Sequence, residues 1–197
     1  MSGRLILNGS QDFQSRNKLF LHVLILLIIS ASSFYLGYKL SPQAQANGIL
    51  PLSSKIIVSP DAEDVFISLI NSANKSIDVE VYLFSNKNLA NAVIAAKARG
   101  VTVRIILENR IEGDTNDEVI ALLKAAGVDL RFASTDFKLT HSKFFIIDKA
   151  ISVVGSHNWT GAALTKNRET SILTTEVMAV KPLLDLFEND WSIASPV

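Results

Sequence analysis

The residues that could carry out chemistry lie in one segment of the C-terminal third, which begins at His141. Lys143 stands two positions after this histidine, and Asp148 follows five positions after the lysine. Ser156 and Asn158 come next, in the order Gly-Ser-His-Asn. An imidazole together with an ammonium, a hydroxyl and an amide suits the binding of a tetrahedral anion such as phosphate.

A histidine in such surroundings can act as a nucleophile or as a general acid and base. A carboxylate is needed to fix the tautomer of its ring, and Glu169 is the candidate that follows the motif. The sequence has no cysteine and no cluster of Asp, Glu and His at ligand spacing, so it shows no metal-binding pattern.

Two short runs rich in Val, Ile and Phe, 143–148 and 150–155, are predicted to be strands joined by a tight turn. Side chains alternate along a strand, so His141 and Lys143 are predicted to share one face. Gly155 ends the second run, where a missing side chain lets the backbone come close to a ligand.

Strand-like and helix-like patterns alternate through the rest of the chain from residue 55 onward. The predicted strands cover 55–59, 76–84, 101–107, 128–132 and 170–174. The predicted helices cover 60–74, 88–99, 115–126 and 177–191, and Pro182 is expected to kink or restart the last of them. This alternation predicts an α/β domain with helices on both faces of the sheet.

The N-terminal region has the pattern of a membrane anchor. Residues 1–18 are polar and include three basic residues, whereas residues 19–38 contain no Asp, Glu, Lys or Arg. Twenty helical residues span about 30 Å, the thickness of the hydrocarbon core of a bilayer. The basic residues predict a cytoplasmic N-terminal tail, a transmembrane helix and an extracytoplasmic main domain. Residues 39–54 are predicted to be a linker, followed by a catalytic domain at 55–197.

A cleaved signal peptide is the alternative for the same region. The tripeptide ending at Ala46 resembles a cleavage site, and cleavage there would leave a periplasmic or secreted domain. The apolar run is longer than the core of about 7–15 residues that is usual in signal peptides, which favours the anchor.

The charge balance is not that of a strongly basic nucleic-acid-binding protein. The chain has 19 Lys and Arg residues and 19 Asp and Glu residues. Residues 47–197 alone contain 15 basic and 18 acidic residues, which gives a net charge of −3. A local basic groove is still compatible with this balance.

The motif resembles the HKD motif of the phospholipase D superfamily, with matching spacing: His141-x-Lys143-x4-Asp148-x6-Gly155-Ser156-x-Asn158. Residues 165–169 are similar to the segment that follows this motif in small single-motif bacterial endonucleases of that superfamily. The similarity extends over roughly residues 55–192. It implies a phospholipase D-like fold with a mixed sheet flanked by helices on both faces.

The resemblance also implies a role for each residue. His141 would attack phosphorus and form a phosphohistidine, and Glu169 would orient and polarise it. Asp148 would support the site, through the histidine of a partner chain. Water would then release the phosphate, without a metal or a cofactor. The side chains that would hold the phosphoryl oxygens are Lys143, Ser156 and Asn158.

Members of the superfamily with two motifs use two histidines, but this chain has one motif. The resemblance therefore implies a two-fold symmetric homodimer with the active site on the axis.

Three functions remain open at this point. The endonuclease-like pattern favours hydrolysis of DNA or RNA. The predicted anchor and the modest net charge favour hydrolysis of membrane phospholipids. A catalytically silent, membrane-tethered binding module is the third reading, and the complete motif argues against it.

Overall fold

The computed structural model describes residues 54–111 and 116–197, together with His22. Residues Ser53–Val197 form one compact unit. The predicted cytoplasmic tail, the anchor or signal peptide, and nearly all of the linker lie outside the described residues. Within the described residues, no helix is long and apolar enough to span a bilayer.

The strands of the described chain form one mixed sheet of eight strands in the order β1-β7-β6-β5-β2-β3-β4-β8. Strand β2 pairs in parallel with β3, and β3 with β4, whereas the other neighbours are antiparallel. The strands are β1 (Ser54–Val58), β2 (Ser76–Val81), β3 (Thr102–Leu107), β4 (Asp129–Phe132), β5 (Lys143–Ile147), β6 (Ile151–Gly155), β7 (Thr170–Thr174) and β8 (Ser195–Pro196).

Helices cover both faces of the sheet, as predicted for an α/β domain. The helices are α1 (Glu63–Ser72), α2 (Lys87–Ala98), α3 (Asp117–Ala125), α4 (Gly161–Thr165) and α5 (Val177–Ile193). The first four pack on one face, in a core that includes Phe66, Leu89, Leu123, Phe145 and Leu164. Of the described helices, α5 alone packs on the other face, through Val180, Phe187 and Trp191 against Ile106, Phe144 and Ile146.

The predicted elements occur in the predicted order, but α1 begins at Glu63 rather than at 60, and β2 ends at Val81 rather than at 84. The C-terminal helix passes through Pro182 without restarting, because this residue lies in its second turn, where only one backbone hydrogen bond is lost. The third helix begins at Asp117 rather than at 115, since Asn116 is its N-cap residue. The short elements α4 and β8 were not predicted.

Four strand ends meet at one end of the sheet and bring the motif together. Strand β5 begins there and its antiparallel neighbour β6 ends there. Strand β7, antiparallel to β6, begins there, and β2, antiparallel to β5, ends there. We call this the catalytic end of the sheet, and its opposite the distal end.

Candidate active site

Most of the predicted site residues lie at the catalytic end of the sheet. His141 stands just before β5, and Lys143 is the first residue of that strand. Ser156 directly follows β6, and Glu169 directly precedes β7. The antiparallel pairing of these three strands therefore gathers residues that are up to 28 positions apart in the sequence.

An aromatic side chain that the sequence analysis did not select lies beside the His-x-Lys pair. The ring of Tyr82 is 4.6 Å from the ring of His141, centroid to centroid. Its centroid is also 5.2 Å from the Nζ atom of Lys143, a favourable cation–π distance. Tyr82 comes to this place because β2 and β5 pair with Val81 opposite Lys143. Lys143 Nζ also donates a hydrogen bond of 2.7 Å to the carbonyl of His141.

The surroundings favour an uncharged imidazole at His141. Desolvation lowers the pKa of His141, and the positive charge of Lys143 lowers it further. A neutral ring keeps the lone pair that a nucleophile needs. Burial also lowers the pKa of Lys143, while the negative charge of Glu169 opposes that effect and favours the ammonium form.

Glu169 is bound to the Gly-Ser-His-Asn turn rather than to His141. Its Oε2 atom accepts a hydrogen bond of 2.5 Å from Ser156 Oγ. Its Oε1 atom accepts one of 3.2 Å from Asn167 Nδ2. Within the described chain Glu169 makes no hydrogen bond to His141, so the predicted orienting contact is not formed in this single chain. The carboxylate instead fixes the hydroxyl predicted to bind phosphate.

Gly155 lets the turn lie against the next strand. A Cβ atom at this position would be 2.3 Å from the carbonyl oxygen of Thr170, a contact that real side chains do not make. Any other residue would push β6 away from β7 and would separate Ser156 from Glu169.

His157, the third residue of the Gly-Ser-His-Asn turn, lies inside the core. Its Nε2 atom is 2.8 Å from Ser59 Oγ, and its Nδ1 atom is 2.7 Å from Ser171 Oγ. Ser59 Oγ donates its own hydrogen to the carbonyl of Ala163, so His157 must donate from Nε2 and accept at Nδ1. Burial lowers the pKa of His157, in keeping with a neutral ring.

Asn158 is the second predicted phosphate ligand of the turn, and its side chain reaches the neighbouring strand. Its Oδ1 atom accepts a hydrogen bond of 3.2 Å from the backbone N–H of Leu83. This bond orients the amide so that its NH2 group remains a donor.

Asp148 lies at the distal end of the sheet, at the other end of β5 from His141. It adopts a positive φ of 53° in the turn between β5 and β6. Its carboxylate accepts hydrogen bonds from the backbone N–H groups of Asn74, Lys75 and Ser76. Partial burial raises the pKa of Asp148, but these N–H groups outweigh it and hold the pKa below its usual value. Its contacts in this chain are structural, unlike the catalytic role implied by the resemblance.

Arg110, in the loop after β3, is bound by other groups of this chain. It binds the buried carboxylate of Glu108 through two guanidinium nitrogens, each at 2.7 Å. It also donates to the carbonyls of Ser134 and Phe137, in the segment that leads to His141. Arg110 thus stabilises the loop before His141. Within the described residues, no group of three His, Cys, Asp or Glu side chains is arranged to hold a metal ion.

Comparison with known proteins identifies the family. Residues 66–191 match the family described as "Cardiolipin synthase, PLD-like domain". The mitochondrial cardiolipin hydrolase of Mus musculus is 33% identical over 156 residues, which cover 77% of this chain and 70% of the relative. The human enzyme of the same name is 33% identical over 140 residues, which cover 70% of this chain and 55% of the relative.

Two solved structures share the fold. The phospholipase D family member Nuc from Salmonella typhimurium is 29% identical, with a TM-score of 0.69 over 74% of this chain and 97% of Nuc. NucT from Helicobacter pylori is 22% identical, with a TM-score of 0.66 over 73% of this chain and 98% of NucT, a likeness of fold alone.

The site and the fold together define a phosphodiester hydrolase with its polar residues at the ends of antiparallel strands. The chain belongs to the phospholipase D superfamily, which confirms the resemblance seen in the motif.

Proposed function

We propose that this protein is a metal-independent, endonuclease-type hydrolase that cleaves nucleic acid through a phosphohistidine at His141. The observation that carries the proposal is the cluster at the catalytic end, where a neutral imidazole lies beside the ammonium of Lys143. Ser156 and Asn158 present a hydroxyl and an amide at the same end. Such donors stabilise the negative charge that develops on the phosphoryl oxygens.

The reaction takes place in two displacements. In the first, a ring nitrogen of His141 attacks phosphorus, the bond to the leaving oxygen breaks, and a general acid protonates that oxygen. In the second, water attacks phosphorus and loses its proton to the same group, and the phosphorus–nitrogen bond breaks. The free phosphomonoester leaves, and His141 is regenerated.

Basic side chains on two segments beside the cluster support nucleic acid as the substrate. Lys138 lies in the loop before His141, and Lys166 and Arg168 lie in the segment before Glu169. All three are exposed. Exposed cations that track a phosphate backbone provide most of the affinity for nucleic acid. The likeness to Nuc, which covers nearly all of that protein, points in the same direction.

Phospholipid hydrolysis is the second candidate, and the loop before His141 favours it. The side chains of Phe137 and Leu139 are 50% and 40% exposed in that loop. Apolar side chains at the entrance to a site can insert into the headgroup region of a bilayer. The mitochondrial cardiolipin hydrolases are named for a lipid substrate. A membrane anchor at 19–38 would hold the site near lipid, whereas cleavage near Ala46 would remove that advantage.

A turnover assay on single-stranded DNA, duplex DNA, RNA and phospholipid vesicles, all in EDTA, tests the substrate. We expect nucleic-acid cleavage, with kcat/KM lowered about tenfold at moderate salt by Lys138→Ala combined with Lys166→Ala. The matched variant Phe137→Ser with Leu139→Ser should leave nucleic-acid cleavage nearly unchanged. Release of phosphatidic acid alone, lost in the Phe137 and Leu139 variant, would establish the lipid reading. Dependence on added metal would contradict the mechanism.

We further propose that the general acid is His141 of a second copy, in a homodimer. One face of the sheet supports this dimer, because it exposes apolar side chains. Helix α5 lies across β2, β5 and β6, whereas apolar side chains of β1 and β7 on this face stay exposed within the described chain. Ile56 and Ile172 stand opposite each other there and are exposed, and Val58 continues the strip toward the catalytic end. An uncovered apolar strip that reaches an incomplete site fits an isologous contact.

The substitution Ile172→Glu tests the dimer. It should convert the protein to a monomer in sedimentation and lower kcat by at least about 10²-fold, the contribution of a general acid. Leu122→Glu is the matched control, because Leu122 is 38% exposed and Ile172 is 37% exposed, on opposite sides of the sheet. The control should remain dimeric and active. An Ile172→Glu monomer with full activity would contradict the shared site.

A further inference from the structure

The central strand β2 carries an acidic side chain in a position that the mechanism above does not use. Glu80 has 0% of its surface exposed, and neither carboxylate oxygen makes a well-formed hydrogen bond. It faces helix α5, on the same side of the sheet as Ile106 and Phe144, its partners on β3 and β5. A buried ionised carboxylate without partners is strongly unfavourable, so this group must be neutral or must share a proton.

Two polar side chains lie near Glu80. Ser142 is two residues before Phe144, the β5 partner of Glu80, and so lies on the same face of the sheet. Asp190 precedes Trp191 of α5, which packs on this face. Asp78, two residues earlier on β2, is already bound by Arg104 of β3, which also pairs with Glu188 of α5. The β5 residues on this face, Phe144 and Ile146, do not titrate. The cation of Arg104 is therefore committed to two other carboxylates, and Asp190 is the acidic neighbour of Glu80.

The surroundings of Glu80 favour its protonated form. Burial raises the pKa of Glu80 most strongly, and the charge of Asp190 raises it further, whereas Ser142 lowers it, with a result of about 8. Near neutral pH Glu80 thus keeps its proton beneath α5.

The position of Ser142 connects Glu80 to the reaction. Ser142 lies between His141 and Lys143 in the sequence, and Glu80 precedes Val81, the residue that pairs with Lys143. A movement of Glu80 or of Ser142 would therefore displace the backbone that carries both functional side chains. A displacement of about 1 Å in a catalytic group can cost about 10²-fold in rate.

We propose that Glu80, as a buried neutral acid beneath α5, is a positioning residue that holds the His141–Lys143 segment in its reactive place through Ser142. Loss of its proton places an unpaired negative charge between α5 and β2. The cost of that buried charge loosens the helix from the strand and shifts Ser142 together with the residues on either side of it. The effect on turnover rests on the proposed function, but the effect on stability does not.

The test compares the full-length protein with Glu80→Gln, Asp190→Asn and Ser142→Ala between pH 6 and pH 9. A group whose pKa is raised by folding stabilises the folded state at low pH, and that stability is lost as the pH rises through the folded pKa. The Tm of the unsubstituted protein should therefore fall from pH 6 to pH 9 by on the order of 5 °C more than that of Glu80→Gln. Asp190→Asn should keep most of this fall, because burial, the largest cause of the raised pKa of Glu80, remains.

Turnover gives the second measurement. One pH unit above the pKa about one molecule in ten keeps its proton, so kcat should fall about tenfold more between pH 7 and pH 9 than it does in Glu80→Gln. KM should change little. Ser142→Ala should keep the pH-dependent Tm but lose the extra fall in kcat. If Tm and kcat, or kcat alone, change with pH in Glu80→Gln as they do in the unsubstituted protein, the positioning role is wrong. Absence of turnover in every protein, with the Tm difference present, would instead count against the proposed function.

Discussion

Replacing His141 with asparagine is expected to lower kcat by about 10⁴-fold or more, because the nucleophile that forms the covalent intermediate is lost. The ring of His141 is exposed, and its side chain makes one ring contact with Tyr82. The Tm should therefore change by no more than about 2 °C, as for most exposed substitutions. Single-turnover kinetics with a phosphodiester substrate, together with thermal unfolding, measure both quantities. His22→Asn, which changes the other exposed histidine, is the control and should leave both unchanged.

The pH dependence of the reaction follows from the same side chain. Desolvation and the charge of Lys143 lower the pKa of His141. The neutral nucleophile should therefore be present at pH values below the usual pKa of histidine. The acidic limb of kcat/KM should thus lie below about pH 6.5. Lys143→Met should raise the pKa of His141 by removing the neighbouring charge, and it should also lower the rate by removing a phosphate ligand. Retained phosphohistidine formation in His141→Asn would disprove the nucleophile assignment.

The sequence was sufficient to predict the hairpin of β5 and β6 and the set of residues at the catalytic end. Those residues belong to one continuous segment, and a strand–turn–strand pattern with a histidine before it is a local signal. It also predicted the alternation of helices and strands, because each amphipathic element carries its own hydrophobic period.

Contacts between distant segments could not be predicted in the same way. Tyr82 meets His141 and Lys143 only because of the register between β2 and β5. His157 is buried because β7 and the loop after β1 supply two serine hydroxyls from distant positions. The burial of Glu80 depends on the path of α5 across the sheet. Each of these contacts is set by tertiary packing, for which a single sequence carries no local signal.

The substitution Asp148→Ala should lower the free energy of unfolding by about 1–3 kcal/mol and leave kcat of the folded protein within about threefold. Three backbone N–H groups lose their acceptor, and each loss costs up to about 1 kcal/mol where water can replace part of the bond. Alanine is also disfavoured at the positive φ of this turn. Asp148→Asn is the matched control, since asparagine tolerates this conformation and keeps one acceptor oxygen, so it should lose about half as much.

The pH dependence separates this structural role from a catalytic one. Folding lowers the pKa of Asp148, so its contribution to stability is present above the usual carboxylate pKa of about 4 and disappears as the pH falls through the lower folded value. Denaturant unfolding between pH 2 and pH 6 should show this loss in the unsubstituted protein and not in Asp148→Asn. The distal position of Asp148 in this chain predicts that its effects appear in stability alone. A fall in kcat of about 10²-fold with unchanged stability would show instead that Asp148 acts on chemistry, and such an action would have to pass through a second copy.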